Sequence, residues 1–68
     1  MSNTTNANFY NLPLEVIASM EAEKDAAAAS LWAYPGEAWQ RAFEEAWLRE
    51  RGHAEAADKA AECAADMA

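Results

Sequence analysis

The chain has 68 residues, a net charge of −7 and a single cysteine. This length allows one domain, the charge has the wrong sign for binding nucleic acid or an anionic membrane surface, and one cysteine cannot form an internal disulfide. Although 53% of the residues are hydrophobic, 19 residues are alanine, which favours helix but fills little volume. We therefore expect one small domain with positively charged partners.

The two parts of the chain differ in composition. Residues 1–8 are rich in Asn and Thr and predict a flexible arm, whereas residues 9–68 carry the pattern of a single helical domain. No apolar run approaches the roughly 18 residues of a membrane span, and the N-terminus lacks the basic and then apolar order of a signal peptide. We therefore expect an intracellular protein without membrane contact.

The first helix is predicted over about residues 12–31. Asn11 or Leu12 is suited to cap it, and Pro13 fits its first turn because a residue there needs no backbone donor. Apolar residues and alanines then recur at helical spacing, in a series that also includes Lys24.

A second helix is predicted over about residues 36–51. Pro35 keeps the residue before it out of helical geometry and can itself open the next helix. Trp39, Phe43 and Trp47 follow at intervals of four and form an aromatic stripe on one face. Such a stripe is either the core of a helical bundle, the more common case, or a hot spot for a partner protein.

Gly52 ends the second helix, and a third helix is predicted over about residues 53–67. Short connections make the helices antiparallel neighbours, so the predicted fold is all-α, a small antiparallel three-helix bundle. The residues expected to supply its core are Phe9, Tyr10, Leu12, Leu14, Val16, Ile17, Met20, Leu31, Trp32, Tyr34, Trp39, Phe43, Trp47, Leu48, Cys63 and Met67.

Residues that usually carry catalysis or hold metals are few and scattered. His53 and Cys63 are the chain's one histidine and one cysteine, and their positions on a helix separate them by about 15 Å. Glu44 and Glu45 point about 100° apart on a helix, so they do not form an acid and base pair. The two glycines are isolated and form no phosphate-binding loop. We therefore expect a protein that is not an enzyme and that has no metal and no cofactor.

Carboxylates are concentrated on two of the three predicted helices. Helix two is balanced by two pairs at a spacing of four, Glu37 with Arg41 and Glu45 with Arg49. In helix three the acids follow at spacings of three, four and four, which places them in one stripe beside a single cation, Lys59. These acids are Glu55, Asp58, Glu62 and Asp66.

A stripe of like charges is not required for folding, since neighbouring carboxylates repel one another by a few tenths of a kcal/mol per pair. We expect this stripe to bind a partner, with Glu21 and Asp25, also four residues apart, as a second cluster of contacts. The alternative is a solvated face that only keeps the protein soluble.

In small size, acidity and lack of catalytic residues, the chain resembles phage-encoded inhibitors of bacterial defence, notably DNA-mimicking anti-CRISPR proteins, a type that no motif defines. The resemblance implies an inhibitor, expected to be monomeric, that acts in the cytoplasm of an infected bacterial host. It would occupy a basic groove and block target DNA from a CRISPR surveillance complex, without binding nucleic acid itself. The alternative is a helical interaction module, antitoxin-like or an adaptor, that binds through the aromatic stripe.

Overall fold

The computed structural model describes residues 9–67, and in this range the chain forms three α-helices and no β-strand. They are α1 (Leu14–Ala29), α2 (Glu37–Glu50) and α3 (Ala54–Met67). The prediction of an all-α fold is confirmed, and each predicted helix boundary lies within two residues of the observed one. The predicted flexible arm, residues 1–8, and Ala68 lie outside the described residues. None of the three helices combines the length and apolar character needed to cross a membrane.

The start of α1 differs from the prediction. Pro13, with extended backbone, occupies the cap position, and its carbonyl accepts hydrogen bonds from the amides of Val16 and Ile17 at 3.0 and 3.1 Å. Asn11 adopts a left-handed φ of 59°, so the chain turns before it reaches the helix. The prediction that Asn11 or Leu12 caps the helix, with Pro13 in its first turn, was therefore wrong.

The turn between α2 and α3 is built around glycine, as predicted. Gly52 has a φ of 86°. Its amide donates to the carbonyl of Arg49 at 3.2 Å, and the amide of His53 donates to the carbonyl of Leu48 at 2.9 Å. These two bonds form a Schellman motif, which satisfies the last carbonyls of α2. The three-residue turn folds α3 back beside α2 as an antiparallel neighbour.

The core lies mainly between α2 and α3, and α1 contacts α2 less extensively. Met20 and Leu48 are the largest fully buried side chains. Three alanines of α3 complete the packing, because small side chains let its backbone approach α2 closely. The buried residues of this core are Tyr10, Met20, Trp47, Leu48, Ala56, Ala57 and Ala60, with Leu12, Val16, Ile17 and Phe43 partly buried against them.

The aromatic stripe of α2 is divided between core and surface. Trp47 is buried in the core, whereas Trp39 and Phe43 are half-buried and stack on each other with ring centroids 5.5 Å apart. The core interpretation of the stripe therefore holds for Trp47, and the other two rings lie at the edge of the core.

Five residues that were predicted to supply the core lie on the surface, and for them the prediction was wrong. The physical cause is clearest after α1, where the hydroxyl of Ser30 donates to the carbonyl of Ala27 at 2.7 Å and the helix ends. The following residues, through Pro35, are not helical, so their side chains are not held against the neighbouring helices. The exposed fractions are 37% for Phe9, 56% for Leu14, 42% for Leu31, 100% for Trp32 and 69% for Tyr34.

Candidate functional site

The four acids predicted to bind a partner on the third helix form one exposed face. They are Glu55, Asp58, Glu62 and Asp66, and all four lie on the surface of α3. At about 100° per residue they fall within an arc of about 80°, roughly opposite the three buried alanines of the same helix. We call these four residues the acidic face of α3.

Lys59 lies beside the acidic face but is directed elsewhere. Its ammonium group donates to the backbone carbonyl of Phe9 at 3.1 Å and lies 5.6 Å from the centroid of the Phe9 ring. Among the described residues, Asp58 alone of the acidic face takes part in an ion pair, a 3.4 Å contact with the exposed side chain of Arg49. Exposed pairs of this kind are weak, so the negative charge of the face remains largely uncompensated.

All five basic side chains of the chain are engaged in internal contacts. Four of them form ion pairs with carboxylates, and the predicted pairs within α2 are both present, at 3.5 Å for Glu37 with Arg41 and 2.9 Å for Glu45 with Arg49. Lys59 contacts Phe9 instead. The excess negative charge therefore lies on carboxylates that are not paired with any of these five basic side chains.

The two residues of the second predicted acidic cluster, Glu21 and Asp25, differ in exposure and in ion pairing. One carboxylate oxygen of Glu21 lies 3.1 Å from the ammonium group of Lys24, and this glutamate is only half-exposed. Asp25 is exposed and, within the part of the chain that the structure describes, takes part in no ion pair. Of the two predicted residues, Asp25 alone has a carboxylate outside the ion pairs of the described residues.

A buried charge cluster joins α1 to α2 and was not predicted. The side chains of Lys24 and Glu44 are only 6% and 4% exposed, and the ammonium nitrogen lies 2.6 Å from one carboxylate oxygen. The other oxygen accepts hydrogen bonds from the hydroxyl of Tyr10 and from the guanidinium group of Arg41, the latter at 3.0 Å. Arg41 also donates to the hydroxyl of Tyr10 at 3.1 Å. These four residues therefore tie the segment before α1 and both helices together.

The contacts in the buried charge cluster determine its protonation. Burial raises the pKa of the Glu44 carboxyl, but hydrogen bonds from Lys24 and Tyr10 and the nearby positive charges outweigh burial, so this pKa lies below its usual value. Burial lowers the pKa of the Lys24 ammonium, and its hydrogen bonds to carboxylates reverse the direction, so this pKa is raised. Burial, followed by the hydrogen bond and charge of Glu44, raises the pKa of Tyr10. The groups keep their ordinary charge states at neutral pH, which suits a structural cluster and not proton transfer.

The sequence did contain a signal for this cluster. Lys24 lies four residues after the buried Met20 and four before the buried Ala28, so it belongs to the inward side of α1. Glu44 lies four residues before the buried Leu48 and therefore shares its side of α2. A charge at a buried position requires a buried partner, but the identity of the partner depends on how α1 crosses α2.

The histidine lies in the turn between α2 and α3, and the cysteine lies on α3. The backbone of His53 links two helices, since its amide bonds to Leu48 and its carbonyl accepts the amide of Ala57 at 2.9 Å. Cys63 is half-buried on α3, less buried than expected for a core residue. Among the described residues, no group of three or more His, Cys, Asp and Glu side chains is arranged to hold a metal ion.

Comparison with known proteins identifies no relative of this chain. No family model matches the chain, and neither the curated proteins nor the solved structures contain a match.

Proposed function

We propose that this protein is a non-enzymatic inhibitor that binds a basic nucleic-acid-binding surface through the acidic face of α3. Its target would be a CRISPR surveillance complex in the cytoplasm of an infected bacterial host, which it would keep from binding target DNA. The observation that carries the proposal is the outward row of carboxylates on α3, whose neighbouring cation is occupied by Phe9.

The spacing of the row suits charge mimicry. Neighbouring acids on the acidic face are separated along the axis by rises of about 4.5 to 6 Å. One strand of duplex DNA carries a phosphate charge about every 3.4 Å, and proteins that bind DNA meet it with rows of Lys and Arg. A rigid helix that presents carboxylates at comparable intervals can therefore pair with several of those cations at once.

The test is competition between this protein and DNA for a purified CRISPR surveillance complex. The fraction of DNA bound is measured by electrophoretic mobility shift at about 0.1 M and about 0.5 M salt. The variant is the triple change Glu55→Gln, Asp58→Gln and Glu62→Gln. We expect it to weaken inhibition by at least about tenfold and to keep its helicity, because the changed side chains are exposed.

The matched control is a triple change with the same effect on net charge, made at exposed acids outside α3. These are Glu15→Gln, Glu23→Gln and Glu50→Gln. Equal loss in both triple variants would mean that overall charge and not the acidic face is responsible. Full inhibition by the α3 variant would contradict the proposal.

A second candidate function is an interaction module that binds through apolar contacts, such as an antitoxin-like protein or an adaptor. The observation that favours it is the fully exposed Trp32, not the aromatic stripe, since Trp47 is buried. Binding of this kind would persist at about 0.5 M salt, where surface charge pairs are strongly screened. It would also survive the triple change on α3 and be lost in Trp32→Ala.

A further inference from the structure

The connection between α1 and α2 carries an exposed aromatic patch. We define the 31–34 loop as Leu31, Trp32, Ala33 and Tyr34, all exposed, with Trp32 at 100% and Tyr34 at 69%. Because an aromatic side chain buries about 150–250 Å² when covered, the loop offers roughly 400 Å² of apolar contact area. That is within the range of about 300–600 Å² found for the largest apolar patches on monomeric proteins, which are often functional.

The 31–34 loop lies at the same end of the molecule as the last residue of the acidic face. α2 and α3 have 14 residues each and run antiparallel, with Arg49 beside Asp58 close to the connecting turn. Asp66 at the far end of α3 therefore lies beside the first turns of α2, which the loop precedes. The longest extent of the protein is 31 Å, so a single partner surface is large enough to meet both features.

The charge of the protein indicates what covers this loop. A second copy is disfavoured, because each copy carries a net charge of −7 and all five of its basic side chains are already engaged. The loop also supplies about half of the roughly 800 Å² per subunit that a stable dimer buries. A basic partner fits instead, since Trp and Tyr rings bind the side chains of Arg and Lys through cation–π contacts.

We infer that the 31–34 loop is an aromatic anchor for the same basic protein surface that the acidic face of α3 binds, with the Trp32 and Tyr34 rings stacking on Arg or Lys side chains of the partner. This inference rests on the proposed function and adds to it a second contact of different chemistry. The carboxylates attract the partner over a distance, and the rings hold it once water is excluded.

The test uses a short synthetic peptide of alternating arginine and serine as the probe. Peptides with lysine or glutamate in place of arginine are compared with it, and affinities are measured by isothermal titration calorimetry. We expect Trp32→Ala to weaken binding of the arginine peptide about tenfold. Leu14→Ala is the matched control, because Leu14 is 56% exposed and begins α1, at the other end of that helix from the loop. We expect this control to change the affinity less than about twofold.

The outcomes separate the inference from the proposed function. Equal affinities for Trp32→Ala and Leu14→Ala would overturn the anchor while leaving the acidic face untouched. Loss of affinity in Trp32→Ala together with unchanged affinity in the triple variant of α3 would contradict charge mimicry and overturn the shared surface, and would assign Trp32 to the apolar interaction module. A blue shift of tryptophan emission that is absent in Trp32→Phe, seen with phosphatidylcholine vesicles or with rising concentration of the protein alone, would assign the loop to a membrane or to a second copy and overturn the inference.

Discussion

Replacing Glu44 with glutamine should remove much of the stability of this protein. The carboxylate of Glu44 accepts hydrogen bonds from Lys24, Tyr10 and Arg41, and its side chain is only 4% exposed. Glutamine has nearly the same shape but carries no charge. The change therefore leaves the buried ammonium of Lys24 with Glu21, a half-exposed partner, as its remaining carboxylate.

The magnitude follows from the burial of the pair. Removing one partner of a buried ion pair costs about 3–5 kcal/mol, because the other charge is left uncompensated. A domain with about 60 ordered residues has a free energy of unfolding of about 3–9 kcal/mol. Glu44→Gln should thus remove at least about a third of this stability, and at the lower end of the range it should unfold a measurable fraction of the protein at room temperature.

Urea unfolding, followed by far-UV circular dichroism, measures the effect. Glu45→Gln is the matched control, since Glu45 is adjacent in sequence and its 2.9 Å contact with Arg49 lies at the surface. Both variants change net charge equally, but a surface pair contributes about 0.2–1 kcal/mol. A loss below about 1 kcal/mol in Glu44→Gln, or equal losses in both variants, would refute the reasoning.

A double variant tests whether the loss arises from the pair itself. Once Lys24→Met has removed the ammonium group, Glu44→Gln leaves no unpaired lysine charge. We therefore expect the cost of the double variant to be smaller than the sum of the single costs, by about 1–3 kcal/mol. Additive costs would show that the two side chains do not act together.

Three further outcomes are expected from the same structure. Because the pKa of Glu44 is lowered in the folded protein, its contribution to the free energy of unfolding is complete above the ordinary pKa of 4.5 and is lost as the pH falls below that value. Below this pH, urea midpoints should therefore fall less steeply in Glu44→Gln than in the original chain. Parallel curves of urea midpoint against pH would contradict this. Gly52→Ala should cost about 1–2 kcal/mol, because Gly52 has a positive φ, although an added Cβ meets no atom within 4 Å. Gly36→Ala should cost less than about 1 kcal/mol, because Gly36 has an ordinary negative φ and loses only its preference as the N-cap of α2. Similar urea midpoints for the two variants would contradict this. Trp32→Phe should remove most of the acrylamide-quenchable tryptophan emission without loss of helicity, because Trp32 is fully exposed, Trp39 is half-buried and Trp47 is only 6% exposed. Unchanged quenching would contradict this.

The local features of this protein follow from the sequence because their causes are local. Pro35 separates two helical patterns, and Gly52 supplies the positive φ that ends α2. The acidic face of α3 is equally local, since spacings of three and four residues place side chains on one side of any α-helix. Helix boundaries, the glycine turn and the alignment of these four acids were therefore predictable without knowledge of packing.

Which large side chains are buried was decided by the tertiary structure. Trp32 and Trp47 are the same residue type, yet one is fully exposed and the other is buried, because α1 ends before Trp32 while Trp47 lies in the core cluster with Met20 and Leu48. The charges of Lys24 and Glu44 are 20 residues apart in sequence and meet because α1 crosses α2 at that position. Sequence periodicity determines the side of a helix on which a residue lies, but only the packing of one helix against another decides whether that side meets an oppositely charged group, an alanine face or water.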